Sequence, residues 1–135
     1  MNPKPILLVA EDDPDDQFLI EGALKKFCPP NVETRFLENG EELMHTLHEK
    51  LAHAICPDLV LMDLNMPCKD GRWALQEIKA DSRLADIPVV VLTTSENEQD
   101  VQYCRRYGVA AYYTKPGSII ELRKIIQSLC NCYLT

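Results

Sequence analysis

A chain of 135 residues with 46% hydrophobic and 26% charged residues has the composition of one soluble globular domain with its own core. Fourteen Lys and Arg against 21 Asp and Glu leave a net charge of -7 and a pI near 4.9, which argues against a nucleic-acid surface. No apolar run approaches the ~20 residues of a membrane span, and MNPKPILLVAEDD lacks a signal-peptide core, so a cytoplasmic location is the expectation.

Ile6 to Ala10 reads as a buried strand. Asp13 then caps a helix with Pro14 at its first position. Leu19, Ile20, Ala23, Leu24 and Phe27 keep helical spacing until Pro29-Pro30 ends it. Residues 32–37 alternate, with Val32, Thr34 and Phe36 on one side, as in an edge strand. Asn39 with Glu42 three residues on predicts the capped start of a second helix lined by Leu43, Met44, Leu47 and Leu51.

Residues 59–62 form the third strand, and Ala74, Leu75 and Ile78 mark the third helix. Pro88 opens a fourth strand at 89–92. Ser95 or Asn97 caps a fourth helix facing inward through Val101 and Cys104, and Gly108 ends it. A fifth strand is expected at 110–113. Ser118 with Glu121 starts a fifth helix whose Leu122, Ile125, Ile126 and Leu129 share one face.

Five strand–helix units with short connections predict a parallel sheet with helices on both faces. There is no linker, repeat or low-complexity tract. One domain over 1–135, with a core of about 5–130, is expected to leave no room for an output module. The six cysteines are scattered and contain no CxxC pair, so a disulfide framework is not expected. Cys130 and Cys132 alone lack the further ligands of a zinc site.

Ligands of such sheets sit beyond the carboxyl ends of the strands. Glu11-Asp12-Asp13 follows strand one, Asp63 and Asn65 follow strand three, Thr93-Thr94-Ser95 closes strand four, and Thr114-Lys115-Pro116 follows strand five. Two carboxylates about 5 Å apart repel by about 3 kcal/mol at an effective dielectric near 20. A divalent cation reverses that sign, and a few oxygen ligands suit Mg²⁺. Glu11, Asp12 and Asp63 are the candidate ligands, with a backbone carbonyl near Asn65; Asp12-Asp13 is the alternative acid pair. Asp63 is the candidate nucleophile toward phosphorus, with Lys115 for the phosphoryl oxygens and Thr93 as a hydroxyl donor.

These residues carry a resemblance. Glu11-Asp12, Asp63 in LMDLNMPCKDG, Thr93 in VVVLTTS and Lys115 in YYTKP resemble the response-regulator receiver domains of two-component signalling. The resemblance spans residues 5 to about 130. It implies a flavodoxin-like (βα)5 fold with strand order 2-1-3-4-5. It implies phosphorylation of Asp63 by a sensor histidine kinase or a phosphotransfer protein, with Mg²⁺ held by Glu11, Asp12, Asp63 and the Asn65 carbonyl. Thr93 and Tyr112 would be the switch residues, and the face of helix four, strand five and helix five would change its protein partner. A cis Lys115-Pro116 bond is usual in the family. The wording DLNMPCKDG, LTTS and YYTKP resembles receivers found beside phytochrome-type kinases. Such a protein catalyses only its own phosphorylation and dephosphorylation, and the sequence leaves a homodimer open.

Plainer readings stand beside these. Tyr112 also fits as a packed aromatic, Asp70-Gly71 and Met66-Pro67 as turn residues, and Trp73 as packing. His45, His48 and His53 fit a solvated helix face. An aspartate-based phosphatase would want an acid at Asn65, and a nucleotide-binding module a glycine-rich loop where EDDPDD stands.

Overall fold

The computed structural model describes residues 4–135. Its elements are β1 (Ile6–Ala10), α1 (Pro14–Phe27), β2 (Glu33–Leu37), α2 (Gly40–Ala52), β3 (Leu59–Met62), α3 (Gly71–Ala80), β4 (Val89–Thr93), α4 (Glu98–Arg106), β5 (Ala111–Thr114) and α5 (Ile119–Tyr133). All neighbouring strands are parallel, in the order β2-β1-β3-β4-β5. This is the doubly wound fold expected from the alternation.

The strand residues divide between two cores. Leu7, Val9, Leu59, Leu61, Val90 and Leu92 face α1 and α5, where they meet Ile20, Leu24, Ile126 and Leu129. Leu8, Ala10, Val60, Met62, Val89 and Val91 face α2, α3 and α4, where they meet Leu43, Leu47, Leu75, Ile78 and Cys104. Strands buried on both faces must be apolar without alternation, which is why β1, β3 and β4 are continuous apolar runs. Edge strand β2 alternates between exposed and half-buried positions up to Leu37, which is buried.

The helix starts follow their capping residues. Asp13 accepts from the backbone N–H groups of Asp15 and Asp16, Asn39 from Glu42, Asp70 from Trp73, and Ser118 from Ile120 and Glu121. Of the two candidates for α4, Asn97 is the cap, accepting from Gln99 N–H. Strand β5 lies one residue later than expected and ends on Thr114, which pairs with Thr93 of β4. Gly108 follows α4 with φ of +73°, where a side chain would be strained.

One expectation is corrected. Cys28 and Cys130 form a disulfide with Cα atoms 5.3 Å apart. The sequence hid it because 102 residues separate the two cysteines, whereas α1 and α5 pack side by side on one face of the sheet. That bond also removes Cys130 from any pairing with Cys132 at a metal. The isomer of Lys115-Pro116, which the sequence left open, is trans, as no peptide bond among the described residues is cis. Among the described residues no helix is long and apolar enough to cross a membrane.

Candidate functional site

The chain runs from β1 outward to β2, then returns past β1 to β3. Its direction of winding therefore reverses between β1 and β3, and the connections leaving their carboxyl ends diverge and open a crevice. Glu11 follows β1 and Asp63 follows β3, so both stand at this crevice. Asp63 N–H donates to the Ala10 carbonyl at 3.0 Å and Glu11 N–H to that of Leu37 at 2.8 Å. Each acid thus begins its loop while its backbone is still tied to the sheet.

Both acids are nearly inaccessible, Glu11 at 2% and Asp63 at 5% exposure. Lys115, from the end of β5, makes this tolerable. Its Nζ lies 2.6 Å from Glu11 Oε1, 2.7 Å from Asp16 Oδ2 and 2.8 Å from Asp63 Oδ2. Burial pushes the Glu11 carboxyl up to about 7, against the pull of Lys115. Burial opposes the Lys115 charge too, but hydrogen bonds to Asp16, Asp63 and Glu11 hold its pKa above the ordinary lysine value.

Carboxylate oxygens of Glu11, Asp12 and Asp63 all lie within 4.8 Å of one another, with Asp12 exposed. Three hard oxygen donors, one open to solvent, fit a small hydrated dication. The alternative partner Asp13 is occupied as the cap of α1. Asp63 Oδ1 accepts from Asn65 N–H at 3.1 Å, which folds the backbone after β3 around the carboxylate. Gly71 lies directly beneath: a Cβ there would strike the Asp63 carbonyl oxygen and come 2.8 Å from Leu64 Cα. Asp70-Gly71 is therefore more than a turn, because its missing side chain lets α3 approach the backbone that carries Asp63.

Thr93 ends β4 fully buried, and its Oγ1 accepts from Ser95 N–H at 3.4 Å. Tyr112 is half-buried against the core on the α2–α3–α4 side, and its hydroxyl donates to the Ser95 carbonyl at 2.8 Å. Both residues thus reach the loop between β4 and α4.

The sequence pattern of the family "Response regulator receiver domain" matches residues 7–127. The chain belongs to the response-regulator receiver family. This receiver is 38% identical to the response regulator Rcp1 of Synechocystis over 98% of its own length and 91% of Rcp1. A structure of the Mn²⁺-bound form of Rcp1 matches with a TM-score of 0.83 at 37% identity, covering 98% of this chain and 95% of that one. The phosphorylated cyanobacterial phytochrome response regulator RcpA matches with a TM-score of 0.89 at 37% identity, covering 98% and 96%. The receiver domain of the Pseudomonas aeruginosa sensor histidine kinase PA1611, with a magnesium ion in its active-site cleft, matches with a TM-score of 0.70 at 26% identity, covering 96% and 99%.

Two parts of this receiver's site escaped the sequence reading. Asp16 was one acid in the run EDDPDD, yet it is a direct partner of Lys115. No spacing in the sequence announced it, because Asp12 precedes α1 and helical periodicity does not relate the two acids. Arg72 and Asp100 pair at 2.6 Å across 28 residues, and nothing local to either one announces it.

Proposed function

We propose that this receiver takes a phosphoryl group on Asp63 from the phosphohistidine of a sensor histidine kinase, or of a phosphotransfer protein, and thereby switches its protein partner. The observation that carries this reading is the placement of Asp63: a buried carboxylate 2.8 Å from Lys115, with Glu11 and Asp12 oxygens within 4.8 Å. In the transfer, an Asp63 carboxylate oxygen forms a bond to phosphorus as the phosphorus–nitrogen bond of phosphohistidine breaks. The imidazole leaves with the electron pair of that bond.

Glu11, Asp12, Asp63 and the backbone carbonyl of Asn65 would hold Mg²⁺. Bound there, the ion supplies positive charge against the carboxylates and the incoming phosphoryl oxygens. Lys115 is already directed at Asp63 and exchanges a carboxylate oxygen for a phosphoryl oxygen. The Thr93 hydroxyl donates to another phosphoryl oxygen, and Tyr112 follows through Ser95, which both residues touch. The protein catalyses only its own phosphorylation, from the phosphohistidine donor, and its own dephosphorylation, and turns over no other substrate. The likeness to RcpA, a phytochrome response regulator, favours a phytochrome-type kinase as donor and, with such a donor, a cytoplasmic location.

Incubation with acetyl phosphate and Mg²⁺, followed by intact-mass measurement, tests the assignment. One phosphoryl group is expected on the parent and none on Asp63→Asn. Equal labelling of the two proteins would place the acceptor elsewhere.

A further inference from the structure

Along α4 only Cys104 is fully buried, with Tyr103 and the cap residue Tyr107 half-buried against the core, so apolar packing holds this helix less than it holds α1, α2, α3 or α5. Polar contacts with α3 take its place. Arg72 Nε donates to Asp100 Oδ1 at 2.7 Å and Nη2 to Asp100 Oδ2 at 2.6 Å, a two-pronged ion pair. Arg72 Nη1 reaches Asp70 Oδ2 at 3.2 Å and Asn65 Oδ1 at 3.5 Å, beside the acid site. Tyr103 of α4 donates its hydroxyl to the Arg72 carbonyl at 2.9 Å. Both members are largely shielded from solvent, at 32% and 14% side-chain exposure.

The pair also continues toward Thr93. Asp100 Oδ2 accepts from the Ser95 hydroxyl at 2.6 Å. Ser95 in turn donates its N–H to Thr93 Oγ1 and accepts from Tyr112 with its carbonyl. A connected path thus runs from the buried hydroxyl at the site, through Ser95 and Asp100, to Arg72.

We propose that Arg72 and Asp100 form a latch that holds α4 and the β4–α4 loop at rest, and that phosphorylation of Asp63 opens it. The opening step rests on the phosphoacceptor reading above. If Thr93 is drawn to a phosphoryl oxygen, its bond to Ser95 pulls that residue with it. Ser95 cannot follow without lengthening its hydrogen bond to Asp100. The fork then loses a partner that helps to orient the carboxylate, and α4 is left with Cys104, the half-buried Tyr103 and Tyr107, and the Tyr103–Arg72 hydrogen bond as its ties to the core and α3. Arg72 and Asp100 are positioning residues, since neither touches the reacting atoms. A latch of this kind favours the resting state, so removing it shifts the population toward the open state before any phosphate arrives.

Amide hydrogen exchange on Arg72→Ala, Arg72→Lys, Asp100→Asn and the double variant Arg72→Ala/Asp100→Asn tests the latch. Without phosphoryl donor, exchange along α4 should rise roughly tenfold in Arg72→Ala and Asp100→Asn. The double variant should exchange no faster than either, Arg72→Lys should fall between, and α1 and α5 should keep their parent rates. Unchanged α4 exchange, or a uniform rise across the domain, would overturn the latch. With acetyl phosphate and Mg²⁺, the parent should lose α4 protection on labelling, and Arg72→Ala should label several-fold faster than the parent. A labelled parent with α4 still protected would overturn the opening step. A parent that takes no phosphate at all would overturn the phosphoacceptor reading and the opening step with it, while exchange in the unlabelled proteins still decides the latch.

Discussion

The Nζ atom of Lys115 lies 2.8 Å from Oδ2 of Asp63, 52 positions apart in the chain. The same nitrogen touches Glu11 and Asp16, so one ammonium serves three acids. It is their counter-ion within the protein, and a bound dication would compete with it for Glu11 and Asp63. Removing the lysine leaves buried carboxylates without a cation. Lys115→Ala should destabilise the metal-free domain by about 3 kcal/mol. Mg²⁺ should then raise the melting temperature of the variant more than that of the parent. Thermal unfolding with and without Mg²⁺ checks this; equal shifts would mean that lysine and metal do not share the acids.

Gly71 sets how closely α3 approaches Asp63. A methyl group at this position must push the Asp63–Leu64 backbone aside. Gly71→Ala should cost about 2 kcal/mol, the usual range for overpacking. The displaced carboxylate should also take phosphate from acetyl phosphate at least ~tenfold more slowly. Chemical unfolding and a mass time course measure the two effects separately.

The Arg72–Asp100 pair carries a pH signature. Hydrogen bonds from Arg72 hold the Asp100 carboxyl below the usual aspartate range, with a further contribution from Ser95. As the pH falls, the unfolded chain takes up its proton first, so the pair's stabilisation is lost as pH drops through the lowered folded-state value. Above about pH 4 the parent should be more stable than Asp100→Asn by about 2 kcal/mol. The gap should close on further acidification. Urea unfolding of both proteins across pH 2 to 7, at fixed ionic strength, would show it; a gap independent of pH would mean that Asp100 acts without its charge.

The Cys28–Cys130 bond closes a loop of 102 residues. Loss of such a cross-link frees the unfolded chain, so Cys28→Ser should destabilise the protein by about 2–4 kcal/mol. Reductant should lower the parent's melting temperature to near that of the variant and leave the variant's unchanged. A parent insensitive to reductant would show that the two thiols are not joined in solution.

Much of this molecule can be read along the chain. Apolar runs, caps and breakers are local, and each acts within a few residues. They determined the five strand–helix units, the edge position of β2 and the capping roles of Asp13, Asn39 and Ser118. A parallel sheet directs its strand ends to one side, and that rule alone gathered Glu11, Asp63, Thr93 and Lys115. What required the folded chain was every relationship fixed by side chains from distant elements. Lys115 reaches back to Asp16, Arg72 crosses to Asp100, and Cys28 meets Cys130, each across 28 or more residues. Even the role of Gly71 became visible only when the Asp63 backbone was found against its Cα. Such contacts depend on how helices settle onto the sheet to within an ångström or so, and the spacing of residues along a chain does not carry that information.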